Sequence, residues 1–248
     1  MPRDSKVKML GVAFVLCLVC SILVSAAAVG LKARQERNKE TEKRRNILQI
    51  ARMYDPSKTV DEQFSRVRSR MVDLEKGQFV DSAAAVKELH AIPAGEDSAG
   101  IRSRPRFMEV YLVEEQGRFM QVILPVYGKG LWSTMYGFIA LGPDLSTVTG
   151  FGFYQHGETP GLGGEIDNPN WLAKWPGKLV YDQSGKLRIE VIKGTVDTAG
   201  PDVRHKIDGI SGATLTARGV SNLLAYWLGE NGYKNFLQTM RKTGGVQP

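Results

Sequence analysis

The sequence predicts an α+β chain in which a single N-terminal transmembrane helix precedes a soluble domain built on an antiparallel sheet with flanking helices. Three observations predict it. Residues 9–31 form a run of 23 residues without a charge. The apolar, β-branched runs 107–113 and 118–126 flank Glu115-Gln116-Gly117, which is the pattern of a hairpin. Leu215, Val220, Leu223, Leu224, Trp227 and Leu228 recur at helical spacing after Thr214.

The uncharged run comes first. As a helix it measures about 35 Å, against a hydrocarbon core of roughly 30 Å, so it spans once with some tilt. Arg3, Lys6 and Lys8 before it and the small residues 25–28 at its end also fit a cleaved signal peptide, but the run exceeds the usual 7–15 apolar residues of such a leader. The expectation is an uncleaved anchor. Three Lys or Arg residues precede the span, whereas Lys32, Arg34, Arg37, Lys39, Lys43, Arg44 and Arg45 follow it. Taken literally, that count keeps the C-terminal side in the cytoplasm.

The charged residues 32–56 read as a stalk, and 57–248 as one domain large enough for a core of its own. Thr59-x-x-Glu62 opens a capped helix with Val60, Phe64, Val67, Met71 and Leu74 on one face. Residues 92–106, rich in Pro, Gly and Ser, read as a loop. Beyond the hairpin, strands near 136–141, 147–154 and 187–191 extend the sheet. A helix after Thr214 and a shorter one over 233–241 close the chain.

Composition excludes several functions. Both cysteines, Cys17 and Cys20, lie within the span, so the soluble part can form neither disulfides nor thiolate metal sites. Only three histidines exist, and His156 with Glu158 lacks a third metal ligand at convincing spacing. The net charge of +7 owes much to cations beside the span, whose natural counterions are lipid headgroups of the bilayer. No nucleic-acid-binding pattern is present, and no Rossmann fingerprint, so NADH is not expected to bind this chain.

Three segments carry candidate chemistry. In Asp208-Gly209-Ile210-Ser211-Gly212-Ala213-Thr214, a hydroxyl sits on a glycine turn where a helix begins. The first N–H groups of a helix lack internal partners and attract anions, so a phosphate there gains hydrogen bonds and roughly 0.3–1 kcal/mol of dipole interaction. Ser211 or Thr214 also reads as an ordinary N-cap, worth about 1 kcal/mol to the fold. His156-Gly157-Glu158-Thr159-Pro160-Gly161-Leu162-Gly163-Gly164 forbids regular structure and reads as a strand connection or a ligand loop. Gly128 to Gly137 places Trp132, Thr134, Met135 and Tyr136 between glycines, as core residues or as walls for a flat ring.

The first segment resembles the Asp-x-x-Ser/Thr-Gly-Ala-Thr signature of covalent flavinylation. The resemblance implies that Thr214 carries FMN through a phosphoester, moved from FAD by a separate flavin transferase that reads a sequence including Asp208. It places Ser211, Gly212, Ala213, Leu215 and Thr216 at the cofactor. The second segment is similar to the element found beside the flavin in the same family, which adds His156, Glu158, Thr159, Gly161, Leu162 and Gly163. The string Leu131-Trp132-Ser133-Thr134-Met135-Tyr136-Gly137 resembles the C-type subunit of the sodium-translocating NADH:quinone oxidoreductase, and with Asn168-Pro169-Asn170-Trp171 it argues against the related G-type subunit of the Rnf complex. The implied protein is an electron carrier: residues 1–8 cytoplasmic, 9–31 in the bacterial inner membrane, and a periplasmic FMN-binding domain beside the other subunits of the complex.

Overall fold

A computed structural model describes residues 6–243 apart from 82, 84, 86 and 87. The chain divides into two compact units, residues 1–44 and 45–248.

In the first unit, helix α1 begins. It runs unbroken over Lys6–Ile50, and its apolar stretch is exposed throughout, long and apolar enough to cross a membrane. A stalk ending at residue 56 is therefore too long. The helix stops at Ile50, and Ile47, Leu48, Ile50 and Ala51 are core residues of the second unit.

The second unit is built on a six-stranded sheet whose neighbouring strands are antiparallel. Its strands are β1 (Val67–Asp73), β2 (Gln78–Val80), β5 (Phe107–Glu115), β6 (Arg118–Lys129), β7 (Thr134–Leu141) and β8 (Val148–Gln155), in the order β2-β1-β5-β6-β7-β8. Strands β3 (Leu89–Ala91) and β4 (Ser103–Pro105) pair apart from it. The β5–β6 hairpin closes through Gln116 and Gly117, both at positive φ (51° and 74°), a geometry that matches the twist of antiparallel strands.

The capped helix after Thr59 exists, but only as α2 (Val60–Phe64). The Thr59 side chain accepts from the Glu62 N–H, and Val67, Met71 and Leu74 do not share its face. Val67 to Asp73 pairs along its whole length with β5, and those ladder bonds override a helical apolar spacing that short. The strand expected over 187–191 is also corrected. Leu187 makes a single antiparallel bridge to Tyr181, and the strand proper is Glu190–Val191 (β9), which pairs in parallel with Lys206–Ile207 (β10) outside the large sheet. Part of the expected loop 92–106 is strand β4.

One face of the sheet carries α4 (Thr214–Trp227) and α5 (Lys234–Lys242) over the larger core cluster. The Trp227 indole donates to the Tyr127 carbonyl at 2.7 Å, and the Tyr233 hydroxyl to the Pro125 carbonyl at 2.9 Å, so both aromatics are buried without an orphaned polar group. The opposite face packs Tyr111, Ile123, Phe138 and Ala140 against Ile47, Leu48 and Ile50. A short 3₁₀ turn (Gly163–Asp167) and α3 (Pro169–Leu172) follow β8 and pack back on it, with Ile166 and Trp171 in the larger core cluster and Trp171 edge-on to Phe151 of β8.

Candidate functional site

Glu158 organises the site. Its carboxylate is 5% exposed and accepts four hydrogen bonds. Oε1 takes the N–H groups of Trp132 (2.9 Å) and Ser133 (3.2 Å), and Oε2 takes the Leu131 N–H (3.1 Å) and the Thr216 hydroxyl (2.6 Å). A carboxylate offers about four lone-pair sites, so Glu158 holds protein rather than ligand. Burial alone would raise its pKa, but the Thr216 hydroxyl and the backbone donors at 131–133 outweigh burial and hold it below its ordinary 4.5. Glu158 thus ties the segment before β7 to the first turn of α4.

Glycines let these elements meet. A Cβ on Gly163 would lie 2.6 Å from Thr216 Oγ1 and 2.9 Å from Glu158 Oε2, and one on Gly130 would lie 2.6 Å from Glu158 Oε1. A Cβ on Gly219, inside α4, would meet the Lys129 carbonyl at 2.6 Å. That position had a sequence signal, since an interior helical glycine costs about 1 kcal/mol relative to alanine and calls for a packing reason. Gly163→Ala is expected to cost about 1–3 kcal/mol by overpacking. Thermal unfolding of the variant checks this, and an unchanged midpoint would refute the close packing.

The loop before the 3₁₀ turn is similarly fixed. His156 Nδ1 accepts from the Glu158 N–H at 3.2 Å, and its Nε2 meets Asp167 Oδ2 at 2.7 Å, so both ring nitrogens are occupied. Among the described residues no cluster suits a metal ion. Ser133 Oγ accepts from the Gly157 N–H at 2.6 Å, and the Thr159 carbonyl accepts from Leu162 and Gly164. Gly161 turns the chain at φ +75°. Ser133 and Asp167 belong to this network although sequence reasoning did not single them out.

Thr214 is the first residue of the 14-residue helix α4 and is exposed. The cap position belongs to Ala213, which offers no side-chain cap hydrogen bond to the backbone of the first turn. Neither Ser211 nor Thr214 is an N-cap, and the helix opens with donors left to take an anion. Among the described residues the Thr214 hydroxyl has no hydrogen-bond partner. Before it, Gly212 adopts φ +72°, and a Cβ there would meet Leu162 Cδ2 at 2.9 Å. Leu131, Trp132, Leu162 and Leu215 are 44–67% exposed: Leu215 follows this threonine, Leu162 lies against Gly212, and Leu131 and Trp132 are tied to the first turn of α4 through Glu158.

Asp208 stands apart from that opening. Its Oδ1 accepts from the Val196 N–H (2.7 Å), its Oδ2 from Lys174 Nζ, and its carbonyl from the Trp171 indole (2.8 Å). Burial works to raise its pKa, but the Lys174 ammonium and the Val196 N–H hold it low. Met135 is fully buried beneath Gly130 and Gly219. Thr134 begins β7, and Tyr136 stacks on Tyr127 at 5.6 Å within an aromatic row of the sheet, so neither belongs to the Glu158 network.

The residues fit FMN: an exposed hydroxyl at an uncapped helix start, close-packed glycines, and apolar side chains able to contact a flat ring. Residues 130–229 match the model of the FMN-binding domain family. The chain is 49% identical to the C-type subunit of the Na(+)-translocating NADH-quinone reductase of Pseudomonas aeruginosa, over 97% of this chain and 98% of that one. It is 44% identical to the protein of the same name from Yersinia pestis, over 97% and 95%. Among solved structures, it is similar to Shewanella oneidensis NqrC, with a TM-score of 0.73 at 31% identity over 82% of this chain and 99% of that chain. With an FMN-binding domain and full-length relatives of one name, the chain belongs to the NqrC family, the C-type subunits of the Na(+)-translocating NADH-quinone reductase.

Proposed function

We propose that Thr214 carries FMN through a phosphoester, and that the chain is an electron-transfer subunit in a membrane complex coupling NADH oxidation and ubiquinone reduction to sodium export. The observation that carries this reading is the start of α4: an exposed Thr214 hydroxyl on a helix whose first turn has no side-chain cap. Bound FMN supplies reversible one-electron and two-electron redox chemistry. The chain's own residues hold and shield. First-turn N–H groups of α4 face the phosphoryl group, Gly212 and Ala213 keep bulk away from it, and Leu162, Trp132 and Leu215 offer apolar contact to the ring.

Attachment requires outside help. No described side chain stands as a base at the Thr214 hydroxyl, and a neutral alcohol needs activation to act as a nucleophile. A flavin transferase supplies it: the Thr214 oxygen bonds to the phosphorus of the FMN half of FAD, AMP leaves, and the hydroxyl proton is released. The same reading places α1 in the bacterial inner membrane, with the N-terminus inside and the flavin domain periplasmic. The seven cations after the span oppose that orientation, although long domains are exported with limited regard to flanking charge.

The test is in-gel flavin fluorescence after SDS denaturation, with the chain co-expressed with an active flavin transferase. The wild-type band is expected to fluoresce and Thr214→Leu to be dark. A dark wild-type band would overturn the reading.

A further inference from the structure

A groove of about 360 Å³ runs along α4 on the side away from Glu158. Thr214, Ala217, Arg218 and Ser221 line it from the helix, at the i, i+3, i+4 and i+7 spacing of one face. Its opposite wall is Glu190 to Gly194, the strand β9 and the loop after it. That loop is locked to the motif that carries Thr214. The Gly209 N–H donates to the Gly194 carbonyl at 2.7 Å, and a Cβ on Gly209 would lie 2.4 Å from the Ile192 carbonyl. The backbone at Lys193 is therefore held on the wall of the groove that Thr214 lines from the helix.

Two cations in the groove have no other use. Among the described residues, neither Arg218 nor Lys193 makes an ion pair or a side-chain hydrogen bond. A helical side chain leans toward the N-terminus of its helix, so Arg218 lies over the turn that begins at Thr214. Its planar guanidinium can grip two phosphate oxygens at once, which an ammonium cannot. Glu190 is the one carboxylate lining the groove, so two cations face one anion and the site is short of a single negative charge. A phosphodiester brings that charge.

We propose that Arg218 and Lys193 are the seat of the phosphodiester formed on Thr214, holding the linkage on the groove side of α4. This rests on the reading of Thr214 as the FMN acceptor.

The test compares how far the attached flavin raises the thermal midpoint. Flavin emission follows the melt of wild type, Arg218→Ala, Arg218→Lys and Arg218→Ala/Lys193→Ala, so only chains carrying flavin report. Flavin-free partners are the same chains with Thr214→Val added, followed by tryptophan emission. In wild type the gain on attachment should shrink as salt screens the pair. In Arg218→Ala it should fall by at least half, with more of it kept in Arg218→Lys and least in the double variant. A purely structural arginine would shift flavin-bound and flavin-free midpoints together and leave the gain unchanged. Equal gains in wild type and double variant would overturn the seat while Thr214 stood as acceptor. A wild-type chain without covalent flavin would instead overturn the reading beneath it.

Discussion

Glu158→Ala is expected to destabilise the domain by about 3–5 kcal/mol, because it strips a common acceptor from three backbone N–H groups and a buried hydroxyl. For a domain of this size that is a fall in Tm of roughly 6–20 °C. The local consequence is larger. Residues 131–133 lose their tether to α4, so the apolar side chains beside Thr214 lose their positions and flavin attachment should fall with them. Glu158→Gln keeps the shape but turns an amide NH₂ toward donors, and should recover only part of the loss. The carboxylate also sets a pH dependence. Its folded pKa lies below its ordinary 4.5, so its stabilising effect is complete above about pH 4.5 and is lost as pH falls through the lower folded value. Wild type should therefore lose stability on acidification below that point, and Glu158→Gln should show a shallower acid limb. Equal acid limbs in urea titrations would contradict the ionised cage.

Gly150→Ala is expected to cost about 3 kcal/mol or more, although alanine normally stabilises a strand relative to glycine. A Cβ at Gly150 would lie 1.8 Å from the Ile50 carbonyl oxygen and 2.9 Å from its carbon, inside any allowed contact. The obstacle is backbone, so no rotamer change relieves it. A Cβ on Gly152, two residues on, would lie 3.3 Å from the Ile50 side chain, so the end of α1 crosses β8 over a two-glycine gap. Alanine at 150 must lift Ile47, Leu48 and Ile50 from the core cluster around Tyr111, Ile123 and Phe138. Thermal unfolding reads the outcome as a drop in midpoint of at least roughly 6 °C. An unchanged midpoint would mean that the helix end does not pack there.

Features governed by local chemistry were legible in the sequence. The β5–β6 hairpin shows in its two apolar, β-branched runs and in Gly117, and α4 shows in its apolar spacing after a glycine turn. Features set by distant pairing were not. Val67 and Met71 fit a helix by spacing, and only β5, some forty residues later in the chain, makes them a strand. The Glu158 cage joins a carboxylate to N–H groups 25–27 residues away and a hydroxyl 58 away, and three of those four donors are backbone, which carries no side-chain signature. Resemblance implied a place near the cofactor for Glu158, whereas the geometry shows a clamp joining residues 131–133 to Thr216. Asp208 follows the same pattern, its carboxylate bound to Lys174 and Val196. The buried end of α1 was missed because its charged residues continue to Arg45, immediately before the core begins at Ile47.

A covalent bond between Thr214 and FMN is read out by intact-protein mass spectrometry followed by peptide mapping. The native protein is expected to be heavier than its sequence by FMN less one water, with the added mass confined to the peptide containing Thr214. A native protein at its unmodified mass, or the flavin mass on another residue, would mean that Thr214 is not the acceptor.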